Sequence, residues 1–315
     1  MTQENVYIGI DVSKKSLDAA IHEKNTYWDV ANDAKGIQAL VKRLKSLSPA
    51  LIVLESTGGL ERNAATALYL EGLPVAIVNP RRTREFAKAL GVLAKTDELD
   101  AGVIAHYAKA VNPPLSRMST EKEQQLTALV RRRMQLVAIR TAEINRLKSA
   151  GKGLHDHIRK HINWLNKEID DLEERTAQLV QNCPLFQEKD AVIQSFKGVG
   201  AVTSHILLSE VPELGQLNRK EVAALMGLAP MNNDSGGSQG KRSIQGGRAR
   251  PRNALYMAAI ASLRCNPVIR EFYHRLLENG KPTKVAITAC MRKMLVIINS
   301  MVRNMKPWDP NFAPA

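Results

Sequence analysis

The chain has 315 residues, with 45 Lys or Arg against 31 Asp or Glu, so its formal net charge is +14. This length predicts two or three domains, and a hydrophobic fraction of 44% is sufficient for a packed core. The excess of cations favours nucleic acid as a partner over an anionic membrane surface, because neither terminus has the pattern of a basic amphipathic anchor. Three scattered cysteines exclude a disulfide framework. With no signal-peptide pattern and no apolar run of membrane-spanning length, we expect a cytoplasmic protein with no membrane partner.

Residues 1–114 have the pattern of an α/β domain. Three short apolar or alternating runs within residues 6–32 predict an antiparallel meander of strands. Helical periodicity follows at 34–47, and then a strand, a helix, a strand and two further helices. The last of these helices ends at NPP, residues 112–114, because proline cannot continue a helix.

Residues 115–185 predict two long helices with coiled-coil-like stripes, separated by SAGKG at 149–153. The stripes are Leu126, Val130, Met134, Val137, Ile144 and Leu147 in the first helix, and Ile158, Ile162, Leu165, Ile169, Leu172 and Leu179 in the second. Residues 186–306 predict a third, mainly helical domain, and 307–315 a tail. The predicted fold class is therefore α/β plus all-α.

Four acids in the first domain are candidates for metal binding. Asp11 ends the strand in YIGIDVS, Glu55 ends the buried strand in LIVLEST, and Asp97 and Asp100 lie three apart on a helix in KTDELDA. Three of them have an ordinary explanation: Asp11 as a turn residue, and Asp97 and Asp100 as a helix cap with a solvated first-turn acid beside it. Glu55 is harder to explain in this way, because burial of an unpaired carboxylate is costly. Together they form a set of hard oxygen ligands for Mg²⁺ or Mn²⁺, which can support phosphoryl transfer.

Residues 234–252, DSGGSQGKRSIQGGRARPR, form a basic loop between helical segments. The loop contains five glycines, three serines and five cations, namely Lys241, Arg242, Arg248, Arg250 and Arg252. Its cations could neutralise phosphates, and its glycines permit close backbone approach. A solvated linker would have the same composition, and Ser235 in an Asp-Ser-Gly triplet also suits a plain turn.

Three further basic stretches are candidate nucleic-acid contacts. Arg81 and Arg82 begin RRTRE after a strand, and Lys197 lies in FKGVGAV, whose Gly-x-Gly turn is similar to that of a helix-hairpin-helix phosphate site. A simple turn between two helices fits FKGVGAV equally well. The run RRR at 131–133 suits a cationic helix face, either solvated or in contact with nucleic acid.

The motifs IGIDVSKKSLDAAI, LESTGG, AKTDELDA, FKGVG, LMGLAP, DSGGSQGKRSIQGG and RNALYMAA resemble, in this order, those of the DEDD transposases of bacterial insertion sequences. Pilin-gene invertases share the pattern, and the resemblance runs from the first strand to about residue 304. It implies an RNase H-like N-terminal domain of the Holliday-junction resolvase type, a coiled-coil insert and a helical C-terminal transposase domain. It further implies a metal-binding tetrad of Asp11, Glu55, Asp97 and Asp100.

The same resemblance implies that Ser235 attacks the scissile phosphate, with Ser238 and Ser243 as the neighbouring serines. The implied function is a transposase that cuts and rejoins double-stranded DNA as a dimer or tetramer, guided by a structured RNA from its own element. The alternatives are a site-specific invertase and a structure-specific nuclease that uses the tetrad and ignores Ser235. An actin-like sugar kinase would need a second glycine-rich phosphate loop on a β-framework, which the sequence does not offer. The four ordered acids disfavour a non-catalytic nucleic-acid-binding protein.

Overall fold

The computed structural model describes residues 5–24, 26–92, 96–231, 234–235, 238–239 and 243–310; between 231 and 239 it describes the backbone alone. The chain divides into two compact units between Ser119 and Thr120. The first is mixed α/β and the second mainly helical, as the sequence predicts. The further division of the helical part at residue 185 stays a prediction.

The first unit is built on a five-stranded sheet in the order β3-β2-β1-β4-β5. The strands β1, β2 and β3 are antiparallel neighbours, which confirms the predicted meander, whereas β4 and β5 run parallel to β1. The strands are β1 (Tyr7–Val12), β2 (Ser16–Ile21), β3 (Thr26–Ala31), β4 (Leu51–Glu55) and β5 (Val75–Val78). The helices are α1 (Ala34–Leu47), α2 (Arg62–Leu70), α3 (Pro80–Ala89) and α4 (Asp97–Val111).

Different helices cover the two faces of this sheet. Ile8 and Ile10 of β1 belong to a buried cluster with the apolar faces of α1 and α2. Tyr7 belongs to a second cluster with residues of α3 and α4, and Gly9 lies directly against α4. This is the two-residue alternation of a strand that is buried on both faces. The same alternation places Asp11, two residues after Gly9, on the face that α4 covers.

The second unit consists of long and short helices with a few very short strands. Its helices are α5 (Glu121–Ser149), α6 (His155–Gln181), α7 (Pro184–Gln194), α8 (Ala201–Glu210), α9 (Arg219–Leu225), α10 (Ala249–Cys265), α11 (Pro267–Glu278) and α12 (Thr283–Asn304). A 3₁₀ turn, Lys152–Leu154, precedes α6. The strands are β6 (Pro230–Met231), β7 (Asp234–Ser235), β8 (Ser238–Gln239) and β9 (Ser243–Ile244). The basic stretch is therefore not loop throughout, because it contains three of these strands.

The long helices α5 and α6 pack against each other. Their shared cluster contains Leu165, Ile169 and Leu172 of the predicted stripe, and Leu136 instead of Ile144, which is 39% exposed. Ile144 does not join this contact, because its neighbour Glu143 is the buried residue at that level of α5, 8% exposed; a coiled-coil role for Ile144 stays a prediction. The start of α5, with Leu126, joins the main core of the unit instead.

The main core of the second unit is centred on α12. This helix is long and apolar enough to cross a membrane by length and composition alone, but 61% of its most apolar window is buried inside the protein. Met294, Leu295 and Ile298 are completely buried in the core cluster. Trp308, in the predicted tail, packs on Phe196 with ring centroids 4.6 Å apart.

Candidate active site

A cavity of about 580 Å³ opens in the first unit where β1 and β4 end. It is lined by all four acids that the sequence predicts: Asp11, Glu55, Asp97 and Asp100. The parallel register pairs Ile10 with Leu54, so the next residue of each strand, Asp11 and Glu55, come side by side. By strand alternation both belong to the row that faces α4. The structure therefore brings these four positions together.

The first turn of α4 supplies the other two acids. Thr96 is the N-cap of this helix: its hydroxyl accepts a hydrogen bond from the Leu99 amide (3.3 Å), and its carbonyl accepts one from the Asp100 amide (2.8 Å). The interpretation of Asp97 as the cap is therefore wrong. Acids in the first turn are stabilised by the positive end of the helix dipole, so α4 tolerates both carboxylates beside Asp11.

The electrostatic setting of Asp11 reflects this crowding. Burial raises the pKa of Asp11 above its ordinary value, and the charges of Asp100, Asp97 and Asp18 raise it further. One hydrogen bond, from the Val12 amide to Asp11 Oδ1 (2.9 Å), acts in the opposite direction. The site thus concentrates negative charge in a partly buried place.

Glu55 is oriented by a residue that the sequence reasoning missed. The Thr83 hydroxyl donates a hydrogen bond to Glu55 Oε1 and also lies 3.0 Å from the Pro80 carbonyl, a second acceptor for the same proton. Thr83 is 2% exposed, so this contact is shielded from water. The only sequence signal is a threonine between arginines on the cavity side of α3.

Asp18 is a further acid that the sequence analysis overlooked. It lies in β2, directly opposite Asp11 of β1, and is 4% exposed. Two hydroxyls hold its carboxylate, the Tyr27 phenol at 2.6 Å and the Ser16 hydroxyl at 2.7 Å. The hydrogen bond to Asp18 raises the pKa of Tyr27. An aspartate in the middle of a strand, on the row of Asp11, was the signal.

The acids share a cavity but do not form a closed ligand shell. Among the residues that the structure describes, no three carboxylate, imidazole or thiol groups stand close enough to hold one ion. The chemistry of the set nevertheless suits a divalent cation. Carboxylate oxygens are the hard ligands that Mg²⁺ and Mn²⁺ prefer. Burial is the main cause of the raised pKa of Asp11, and the charges of Asp100, Asp97 and Asp18 add to it; a bound cation would oppose both effects.

Ser235 lies in the second unit, in a stretch with an ordered stem. Strand β6 pairs with β9, and within that hairpin β7 pairs with β8, which opposes Ser235 to Ser238. Below the stem, Gly227 and Gly247 touch backbone to backbone: a Cβ on Gly247 would lie 2.1 Å from the Gly227 nitrogen. Both have positive φ, a conformation that glycine adopts without strain. Ser243, the other neighbouring serine, is in β9.

The predicted phosphate-binding arginines at the end of this stretch bind protein groups. Arg248 forms a bidentate pair with Glu213 (2.6 and 2.7 Å) and donates to the Glu210 carbonyl (2.8 Å). Arg250 lies 3.4 Å from Glu210, and Arg252 donates to the carbonyls of Met226 and Gly246. These contacts anchor the stem, and a role of the three arginines in nucleic-acid binding stays a prediction. Lys241 and Arg242 lie outside the described residues.

The remaining predicted contacts lie on the surface, and they differ in how far they are engaged by protein groups. Arg81 and Arg82 lie in the first turn of α3. Lys197 lies in the turn between α7 and α8, where its carbonyl accepts hydrogen bonds from Ser262 (3.0 Å) and Asn266 (3.4 Å). In the RRR run, Arg131 pairs with Glu210 (2.8 Å) and Arg133 with Glu173 (2.6 Å), so two of its three cations are used within the unit.

Two transposase family models match the chain. One, for DEDD transposases of the IS110 group, matches residues 8–155, and one described as "Transposase IS116/IS110/IS902 family" matches residues 190–274. The pilin gene-inverting proteins of Moraxella bovis and Moraxella lacunata are each 31% identical over 317 residues, which covers 96% of this chain and 97% of theirs. The chain belongs to the IS110 family of DEDD-type transposases.

A more distant relative is similar over part of its length. The transposase for insertion sequence element IS1111A of Coxiella burnetii is 24% identical over 229 residues, 63% of this chain and 62% of that protein. The first family model includes all four acids and the second includes Ser235. At the general level, this IS110-family protein is a transposase or DNA invertase.

Proposed function

We propose that the protein cuts and rejoins double-stranded DNA with the four cavity acids and Ser235. The observation that carries the proposal is the single cavity that Asp11, Glu55, Asp97 and Asp100 line. The sheet order β3-β2-β1-β4-β5, with three antiparallel strands followed by two parallel ones, supports an RNase H-like catalytic domain of the resolvase type. Catalytic acids at the ends of β1 and β4 fit that assignment.

The four acids would hold Mg²⁺ or Mn²⁺. Such an ion, when bound, stabilises negative charge on a phosphate and lowers the pKa of a hydroxyl. Glu55 is kept in position by Thr83, and Asp11 by the Val12 amide. The positive end of the helix dipole lies at the start of α4, beside Asp97 and Asp100. These residues therefore place carboxylate oxygens, the ligands that such a cation prefers, around one cavity.

Ser235 is the proposed nucleophile. Its Oγ forms a bond to the scissile phosphorus while the bond from phosphorus to a deoxyribose oxygen breaks, and the serine proton leaves with that oxygen. The phosphodiester energy is kept in the serine–DNA ester, so a second deoxyribose hydroxyl can displace the serine and rejoin the strand without a further energy source. The anchored stem of β6 and β9 would hold the backbone near Ser235 in a fixed place, which supports this serine as the nucleophile.

The test is a recombination assay with Asp11→Asn, Asp100→Asn and Ser235→Ala, and with Ser238→Ala as the matched control. We expect the first three variants to lose recombination and Ser238→Ala to retain it. A denaturing gel should show a covalent protein–DNA adduct for the control and none for Ser235→Ala. Wild-type recombination by folded Asp11→Asn, or an adduct that persists in Ser235→Ala, would contradict the proposal.

A structured RNA from the same element is the proposed guide, and the working form is a dimer or tetramer in the cytoplasm. The net charge of +14 and the absence of a recognisable helix-turn-helix pattern in the sequence support a protein that binds backbone and leaves sequence choice to base pairing. The long helices α5 and α6 offer a surface for self-association. RNase treatment should abolish site choice, and sedimentation should show an oligomer.

Inversion of a DNA segment is the second candidate function, because the two pilin gene-inverting proteins match nearly the whole chain. Inversion and transposition use the same cutting and rejoining steps and differ in how the sites are arranged. A plasmid with two inverted sites, compared with separate donor and target plasmids, distinguishes them. A nuclease would instead leave cut ends in both assays and would tolerate Ser235→Ala.

A further inference from the structure

Helix α3 contributes a cationic strip to the wall of the carboxylate cavity. The α3 residues that line the cavity are Pro80, Thr83, Arg84, Ala87 and Lys88. They follow the spacing of three and four that defines one face of a helix. Of the five that line the cavity, Arg84 and Lys88 are the cations, and they are four residues apart. Arg81 and Arg82, although adjacent in sequence, are not part of this lining.

The two cations are available to a ligand. Both side chains are exposed, and within the described residues neither has an ion pair or hydrogen bond with a protein carboxylate. This differs from Arg248 and Arg131, whose guanidinium groups are bound to glutamates. Lys14, in the turn after β1, is a third exposed cation that lines the same cavity.

A DNA strand that enters this cavity meets opposing charges. Each phosphate carries a negative charge and is repelled by the four carboxylates that line the same cavity. Cations on an adjacent wall would offset that repulsion. Residues four apart on a helix project in the same direction, so Arg84 and Lys88 can contact the backbone of one strand together.

We propose that Arg84 and Lys88 bind the phosphates that neighbour the scissile phosphate on the same DNA strand. They would thereby hold that strand against the acids. The inference rests on the proposed function of the tetrad, and it names the residues that position the substrate there. Arginine suits the contact because its planar guanidinium can bind two phosphate oxygens at once. Neither residue touches the reacting bond, so both are positioning residues.

The experiment measures binding of the full chain to a fluorescent mixed-sequence DNA duplex over a range of salt concentrations. All variants are made in an Asp11→Asn background with Mg²⁺, where cleavage is not expected. Each phosphate contact contributes about 0.9 to the slope of log affinity against log salt. We expect Arg84→Gln/Lys88→Gln to reduce that slope by about 2, and Arg84→Lys to retain most of it.

The matched control is Lys35→Gln/Lys42→Gln, which removes two exposed charges from α1 on the opposite face of the sheet. The proposal is overturned if both double variants change the slope equally, or if the loss appears with a structured RNA and not with DNA. A gel of the same Asp11→Asn samples tests the tetrad separately. Cleavage there contradicts the proposed function, whereas an unchanged slope contradicts only the roles of Arg84 and Lys88.

Discussion

Gly9 sets the distance between β1 and α4, and its replacement by alanine should displace the helix that bears two of the acids. A Cβ at Gly9 would lie 2.2 Å from the Ala105 nitrogen, 2.3 Å from the Ala101 oxygen and 2.7 Å from the Ile104 carbonyl carbon. All three atoms belong to the backbone of α4, so no side-chain rotation can relieve the clash. To restore ordinary van der Waals contact, the helix must move by roughly 1 Å.

Overpacking of this kind costs about 1–3 kcal/mol, so we expect Gly9→Ala to lower Tm by several degrees. Recombination should fall by about 100-fold, because a displacement of about 1 Å at a catalytic site can have that effect. The loss of folded protein alone would not account for this decrease. Tm is measured by circular dichroism, and recombination at a temperature where both proteins are folded. The loss should persist there if α4 is misplaced.

Gly102 provides the control, because it lies on the same helix and a Cβ there would meet nothing within 4 Å. Gly102→Ala should retain recombination and gain about 0.5–1 kcal/mol of stability, the usual effect of alanine for glycine in a helix. If Gly9→Ala matches Gly102→Ala in both Tm and recombination, the close approach of α4 does not position the acids.

Three further substitutions test other parts of the two units. Thr83→Val removes the hydroxyl that holds Glu55 and should lower recombination about 10-fold, in line with the loss of a hydrogen bond to a charged group, whereas Thr83→Ser should retain it; equal activity of the two refutes the contact. Arg248→Gln breaks the bidentate pair with Glu213, so adduct formation should fall together with Tm, and an unchanged Tm argues against anchoring. Asp11→Asn should raise Tm in EDTA at pH 7. Folding raises the pKa of Asp11, so the ionised carboxylate destabilises the folded protein at any pH above that raised pKa. The increase in Tm should therefore shrink as the pH falls through the raised pKa. A lower Tm at pH 7 contradicts this.

Much of the first unit could be predicted from the sequence, because its strands and helices have strong periodicity. The order of the acids along the chain and the family resemblance predicted the tetrad, but the parallel pairing of β1 with β4, which puts Asp11 beside Glu55, comes from the structure. Asp18 was not predicted because an acid in a strand usually faces solvent. Its burial follows from two features of the fold, the pairing of β2 with β1 and the packing of α4 against β2. The role of Thr83 depends on a contact with Glu55, 28 positions away, which no local pattern encodes.

Charged residues were the least predictable part of the site. In sequence, Arg248 in a glycine-rich stretch and Arg84 in RRTRE look equally suited to phosphate. The structure separates them, because Arg248 meets Glu213, 35 positions earlier in the chain, whereas Arg84 faces the cavity without a described carboxylate partner. The use of a cation depends on its long-range neighbours, and composition alone does not contain that information.

The spacing within IGID connects the close approach of α4 to the chemistry of the site. Gly9 and Asp11 are two residues apart, so they lie on the same face of β1 and roughly 6.7 Å apart along the strand. The helix crosses Gly9 between Ala101 and Ala105, and the turn at 97–100 lies about 4.5 residues earlier, roughly 7 Å along the helix axis. The two distances agree, so a helix that runs antiparallel to β1 and touches it at Gly9 brings its first turn over Asp11. The glycine two residues before Asp11 therefore allows α4 to approach β1 closely enough for its acids to lie near Asp11. For this reason Gly9→Ala should reduce the recombination rate by more than its effect on the free energy of unfolding would cause.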